Sequence, residues 1–202
     1  MNRLAVGIAG CGIAGLASAL VLARAGHAVT LFERFDEPQP VGSGLMIQPT
    51  GLAVLRELGL AERVIADGAR IDRLLGQVGE RVVLDVGYSA LGGAEPHFGI
   101  GIHRASLFAA LYDAVGAAGL RTETGRAACG SIPNEHSRTL IFEDGGESEP
   151  FDLVVDALGT RSPLAPATGR ELPYGALWAS LDWSDGGAFR AICLSSAIAA
   201  PA

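Results

Sequence analysis

Three glycines and one glutamate carry the first readable chemistry. Gly10, Gly12 and Gly15 fall in the stretch IAGCGIAGLASAL, residues 8–20. Glu33 follows about twenty residues on. In a G-x-G-x-x-G turn the first glycine tightens the chain. The second lacks the Cβ that would hold a pyrophosphate off the backbone, and the third lets a helix pack close to a strand. Amides at the start of such a helix, here those of Ile13 and Ala14, have no intrahelical partner and add partial positive charge. A carboxylate at Glu33 can accept bonds from both ribose hydroxyls and repels a 2′-phosphate. The predicted ligand is an adenine dinucleotide, NAD or FAD, and not NADP.

These residues need a particular frame. Residues 4–9 form a short apolar run that reads as a buried parallel strand. Residues 14–25 are rich in Ala and Leu, strong helix formers, and Gly26 is a natural stop. AVTLF, residues 28–32, is a second buried strand that ends at Glu33. Together they make a βαβ unit of about thirty residues. A glycine turn that merely packs tightly is the alternative reading. Strand, helix, second strand and terminal acid all fall in place, which favours the binding turn.

Beyond Glu33 the connection 36–48 is polar and rich in Pro and Gly. Pro49 and Thr50 open a helix over GLAVLRELGL, with Leu52, Leu55 and Leu58 on one face. Strands are predicted at 70–78, 80–86 and 97–103. Residues 104–118 form an amphipathic helix with Leu107, Leu111 and Val115 on one side. Residues 127–132 and 139–143 suit a β-meander with a turn at Asp144. DLVVDAL, residues 152–158, returns to a buried parallel strand and meets Gly159. LWASLDW, residues 177–183, is a further strand candidate, whereas CLSSAIAAPA at the end carries no recognisable element.

Composition narrows the function. The 202 residues are 49% hydrophobic and 18% charged, which suits a globular core. The net charge of −7 and the lack of a long basic run argue against a nucleic-acid partner. Cys11, Cys129 and Cys193 are odd in number and widely spaced, so no disulfide framework or zinc site is expected, and a reducing cytoplasm is the simplest setting. Arg3 before an apolar stretch faintly resembles a signal peptide. The glycines interrupt that stretch, and Arg24 and His27 close it before it could span a bilayer.

The sequence resembles the class A flavoprotein monooxygenases, the p-hydroxybenzoate hydroxylase-like family. The matching stretches are GIAGCGIAGLASALVLARAGHAVTLFER, VGSGLMIQPTGLAVLRELGL, IHRASLFAAL and DLVVDALGTRSPL, in the family's order. The resemblance selects FAD over NAD. It implies an α/β, Rossmann-like FAD-binding fold: a parallel sheet with an inserted β-meander, then the beginning of a substrate-domain sheet. By resemblance, Gly44 and Gln48 line the flavin, Arg104 reaches the phosphate and ribityl region, Arg34 lies near the adenosine, and Gly159 belongs to a motif at the cofactor. His103 is expected as a strand-end residue and not a catalyst. In a complete relative NAD(P)H supplies electrons, and the flavin carries oxygen to an electron-rich small-molecule substrate.

Two departures shape the expectation. Relatives end the last matching stretch in Asp-Gly, where this sequence has Leu158-Gly159. Asp156 is either a poor substitute or an ordinary acid. The relatives' later Gly-Asp motif has no counterpart after Ser162. The expected organisation is therefore an FAD-binding domain over 1–165, with inserted β segments at about 70–103 and 120–150, and the start of a substrate domain over 166–202. The chain reads as the N-terminal half of a monooxygenase, expected to bind FAD weakly, not to hydroxylate alone, and to self-associate through an incomplete sheet. The alternatives are a non-catalytic dinucleotide-binding fragment and an NAD-dependent dehydrogenase with an unusual insert.

Overall fold

The structure is a computed structural model and describes residues 2–40, 43–93, 96–165 and 191–196, the last of these as backbone. In chain order the elements are β1 (Ala5–Ala9), α1 (Ile13–Arg24), β2 (Ala28–Phe32), β3 (Gly44–Ile47), α2 (Pro49–Glu57), α3 (Ala61–Ala66), β4 (Ala69–Val78) and β5 (Arg81–Gly87). A 3-10 turn over Tyr88–Leu91 leads to β6 (Gly99–His103), α4 (Arg104–Ala117), β7 (Arg121–Glu123), β8 (Ala128–Pro133), β9 (Arg138–Phe142), β10 (Leu153–Asp156) and β11 (Ala191–Ser196). They sort into two compact units, Met1–Val41 with Leu107–Leu177, and Gly42–Ser106 with Trp178–Ala202.

The first unit is built on a parallel sheet in the order β10-β1-β2-β7. Val6 pairs with Leu153 and Val29, and Ala9 with Asp156 and Phe32. Alternation along β1 explains its composition. Ala5, Gly7 and Ala9 point to one face. There Phe151 lies so close that a Cβ on Gly7 would come within 2.6 Å of its ring. Ala9 packs there with Phe32, Ala128, Leu140, Phe142 and Phe151 in one buried cluster. The β8–β9 hairpin supplies Ala128, Leu140 and Phe142 and is closed by the Asn134 amide donating to Ser137 O at 2.8 Å. The turn predicted at Asp144 follows β9, with Asp144 Oδ1 accepting from the Gly146 amide at 2.8 Å. Val6 and Ile8 point the other way and are fully buried. Helix α1 contacts β1 and β2, burying Leu16, Ala19 and Leu20. It stops as predicted at Gly26, φ +90°, whose amide reaches the Ala23 carbonyl at 2.9 Å.

The second unit holds the sheet β11-β4-β6-β3, with β5 paired to β4. Helices α2 and α3 contribute the buried Leu52, Leu55, Ala61 and Val64. The predicted strands at 70–78, 80–86 and 97–103 are β4, β5 and the second half of the third segment. The strand read as buried over 152–158 is β10, which pairs parallel to β1 as expected but lies at the edge of the sheet among the described residues, with Leu153 and Asp156 exposed. Two further segments differ from expectation. The connection 36–48, read as polar and loop-like, ends in strand β3, because Gly44–Ile47 finds an antiparallel partner in β6. The tail, read as lacking an element, contains β11 over Ala191–Ser196, which runs parallel to β4. In both cases a distant partner creates a strand that local composition does not announce. The candidate LWASLDW lies outside the described residues.

Candidate functional site

The carboxyl end of the parallel sheet gathers the first group of predicted residues. Gly10 follows β1 directly, with φ +103°, a conformation that favours glycine. A Cβ there would stand 2.7 Å from the Ala157 carbonyl oxygen. Gly15, in the first turn of α1, is equally constrained: a Cβ would run into the Gly10 carbonyl. Gly12 is different. Its φ of −72° and ψ of 179° suit any residue, and a Cβ would meet nothing within 4 Å. The protein's own packing therefore gives no reason for glycine at this position.

Helix α1 has no side-chain cap at Gly12. The first amides of the helix, at Ile13, Ala14 and Gly15, have no partner within it. They present an uncapped, positively polarised end beside the space that Gly12 leaves open.

Glu33 completes this end. Its backbone is fixed between strands: its amide donates to Glu123 O at 2.9 Å, and its carbonyl accepts from Arg126 N at 2.7 Å. Its Oε2 accepts from the Cys11 amide at 2.9 Å, and its Oε1 accepts from the Phe35 amide at 3.2 Å. The acid at the β2 tip is thus tied directly into the glycine turn. A carboxylate has about four lone-pair positions, so these two bonds leave acceptor capacity for hydroxyls. Burial, and then the Glu33 charge, push the Cys11 thiol up to about 12. Its side chain is a small apolar filler while its amide does the hydrogen bonding. The G-x-G-x-x-G pattern did not identify Cys11 as the link to Glu33.

Gly159 sits at the same end of the sheet, because β10 lies parallel to β1. It has φ +87° and open space around it. Asp156 is committed locally: its Oδ1 accepts from Leu158 N at 3.1 Å and its Oδ2 from Ser162 Oγ at 2.6 Å. Leu158 packs against the aromatic cluster. Arg34 is exposed, its guanidinium 4.5 Å from the centroid of the Phe35 ring.

The remaining predicted residues belong to the second unit. Gly44 opens β3 opposite His103 of β6. Arg104 opens α4, its amide donating to Ser43 O at 2.8 Å and its side chain exposed. His103 Nδ1 accepts from the Ala105 amide at 3.2 Å, which makes it a cap for α4. Gln48 precedes Pro49 at the start of α2, and its Oε1 accepts from the Tyr88 hydroxyl at 2.6 Å. Tyr88 was not visible as a site residue from sequence, since nothing in its local pattern points to a residue 40 positions away. Among the described residues no group of His, Cys, Asp and Glu is clustered to hold a metal ion, and no helix is long and apolar enough to cross a membrane.

The residues present fit an adenine dinucleotide. An uncapped helix end lies next to an unexplained glycine, and an acid with spare acceptor positions is bonded into the same turn.

Comparison with known proteins gives the same reading. The chain is 30% identical over 174 residues to 3-amino-4-hydroxybenzoate 2-monooxygenase of Streptomyces cremeus, covering 83% of this chain and 43% of that protein. It is 36% identical over 168 residues to the phenazine 1,6-dicarboxylic acid hydroxylase PhzS of Lysobacter antibioticus, covering 78% and 40%. It thus spans about two-fifths of the length of the curated relatives it matches. The fold is shared with the tetrameric form of 2-methyl-3-hydroxypyridine-5-carboxylic acid oxygenase, at a TM-score of 0.69, 23% identity and coverage of 85% and 43%. It is shared too with CtdE in complex with FAD, at a TM-score of 0.63, 21% identity and coverage of 80% and 40%. The FAD binding domain family matches residues 3–169. Because that match covers most of the sequence, the chain belongs to the FAD binding domain family, and FAD rather than NAD is the cofactor of this domain.

Proposed function

We propose that this chain is the cofactor-binding portion of a flavin-dependent monooxygenase that acts on a small aromatic substrate. The observation that carries the reading is the turn at Gly12: open to solvent, uncapped, and bonded through Cys11 to the Glu33 carboxylate. In this reading the first amides of α1 bind the pyrophosphate and Glu33 accepts from the ribose hydroxyls. Arg34 lies by the adenosine, Gly159 keeps backbone bulk away from the cofactor, and Gly44 and Gln48 face the flavin. Arg104 supplies a charge-assisted donor to the phosphate and ribityl region; its side chain has no partner among the described residues. When bound, FAD would supply the redox chemistry, with NAD(P)H as the electron donor and dioxygen as the source of the oxygen placed on an electron-rich ring.

Several relatives' names carry ring acids, 3-amino-4-hydroxybenzoate, a phenazine dicarboxylic acid and 3-hydroxybenzoate, and two others carry a hydroxylated quinolone. That supports an oxygen-bearing or nitrogen-bearing aromatic ring compound as the substrate class. Self-association through the β4–β5 hairpin is a further part of the reading, since Val82, Val83, Leu84 and Val86 are all exposed there. FAD titration followed by flavin fluorescence tests the cofactor assignment. Saturable quenching is expected, with Glu33→Gln weakening binding about tenfold through loss of a charge-assisted acceptor. Fluorescence that ignores added protein would overturn it.

A further inference from the structure

We propose that Tyr88 is a positioning residue of the flavin site: it holds the Gln48 side-chain amide so that its NH2 group faces outward as a donor to the cofactor. The inference rests on the assignment of Gln48 to the FAD site made above.

The Tyr88 ring is 4% exposed, yet it stands in a short 3-10 turn and not in a strand or long helix. Its hydroxyl finds a partner inside the unit, donating to Gln48 Oε1 at 2.6 Å, with Met46 Sδ at 3.8 Å. A buried tyrosine hydroxyl needs such a partner. The fold also makes room for the ring. Gly99 in β6 has no left-handed φ, so its backbone does not require glycine. A Cβ there would lie 3.1 Å from the Tyr88 hydroxyl oxygen and 3.2 Å from Cε2. The Ile47 carbonyl oxygen would lie equally close, at 3.2 Å, so glycine at 99 answers both to the neighbouring strand and to the Tyr88 ring.

Gln48 is the cap residue of α2, but its side chain makes no capping bond. Its oxygen is taken by Tyr88, and its exposed Nε2 has no acceptor among the described residues. A glutamine held at one end by a buried hydroxyl presents two N–H groups in a fixed plane. The acceptors such a group fits are carbonyl oxygens, ring nitrogens and hydroxyls, which the flavin and its ribityl chain offer. Fixing the amide before binding lowers the ordering cost of the contact.

The test is a thermodynamic cycle on the full chain with FAD as probe. Tyr88→Phe and Gln48→Ala are each expected to weaken FAD binding about three- to tenfold and to shift the visible flavin band. The double variant is expected to match the weaker single variant and not the product of the two losses. Gln48→Glu keeps an acceptor for Tyr88 but removes the N–H donors. It is expected to bind FAD as poorly as Gln48→Ala, and it decides the matter should Tyr88→Phe not fold. Wild-type affinity and flavin spectrum in Tyr88→Phe, fully multiplicative losses in the double variant, or wild-type affinity in Gln48→Glu would each overturn the proposal. A wild-type chain that takes up no FAD sinks the functional reading itself, a result visible before any variant is made.

Discussion

At the residue scale, the three glycines of the turn answer to different neighbours, and that difference is measurable. Gly12→Ala places a methyl group in open space on an ordinary backbone. Stability without ligand is therefore expected to stay within about 1 kcal/mol of wild type. On the proposed reading FAD affinity is expected to fall about tenfold or more, because the methyl group would occupy the approach of the pyrophosphate. Gly15→Ala drives a methyl group against the Gly10 carbonyl and is expected to cost about 1–3 kcal/mol with or without ligand. Thermal unfolding and FAD titration of the two variants separate these effects. Equal stability losses would sink the distinction.

Cys11 gives a pH prediction at the same scale. Its thiol is held neutral, with a value near 12 in place of 9.0. Its contribution to stability is complete below the unfolded value and is lost as pH rises from 9 toward 12, because the unfolded chain sheds the proton first. Native protein is expected to react with a thiol reagent at exposed Cys129 well before buried Cys11. Mass mapping of the labelled peptides checks the order.

At the scale of elements, the end of β10 is where this chain departs from the pattern it otherwise resembles. Leu158 leans on the aromatic cluster, and Asp156 uses both oxygens to order the residues that follow it. Asp156 is therefore a loop-ordering acid here. Leu158→Asp is expected to lower stability by about 1 kcal/mol through lost apolar burial while raising FAD affinity. Unchanged affinity would show that the Asp-Gly pair has no role in this chain.

Element by element, the legible parts were those whose signal is local. The β1–α1–β2 unit announces itself by apolar runs, helix formers and a glycine at each bend. Helix α4 and the β8–β9 hairpin are legible for the same reason. Strand β3 is four residues long, begins with glycine and exists because β6 lies beside it. The Tyr88–Gln48 bond needs the register of β3, the turn after β5 and the gap at Gly99 all at once. No window of sequence holds that information.

At the scale of the whole molecule, the conspicuous surface is the β4–β5 hairpin. Among the described residues β5 pairs with β4 alone, and its side chains are exposed along nearly its full length. Val83 is 56% exposed. A free edge with exposed valines invites pairing with another copy, and a lysine on such an edge suppresses it. Val83→Lys is expected to shift sedimentation velocity profiles toward monomer. An unchanged distribution would place self-association elsewhere or nowhere.

The central sheet sets an order of events during synthesis. The Ala5 amide is held by Asp152, 147 positions later, and β10 closes the flank of β1 that this bond begins. On the ribosome that flank stays open until almost the entire first unit has emerged. Closure over so long a separation is slow. The same late strand leads into Gly159, so the nascent polypeptide acquires the last edge of the crevice proposed for the cofactor only when this strand arrives.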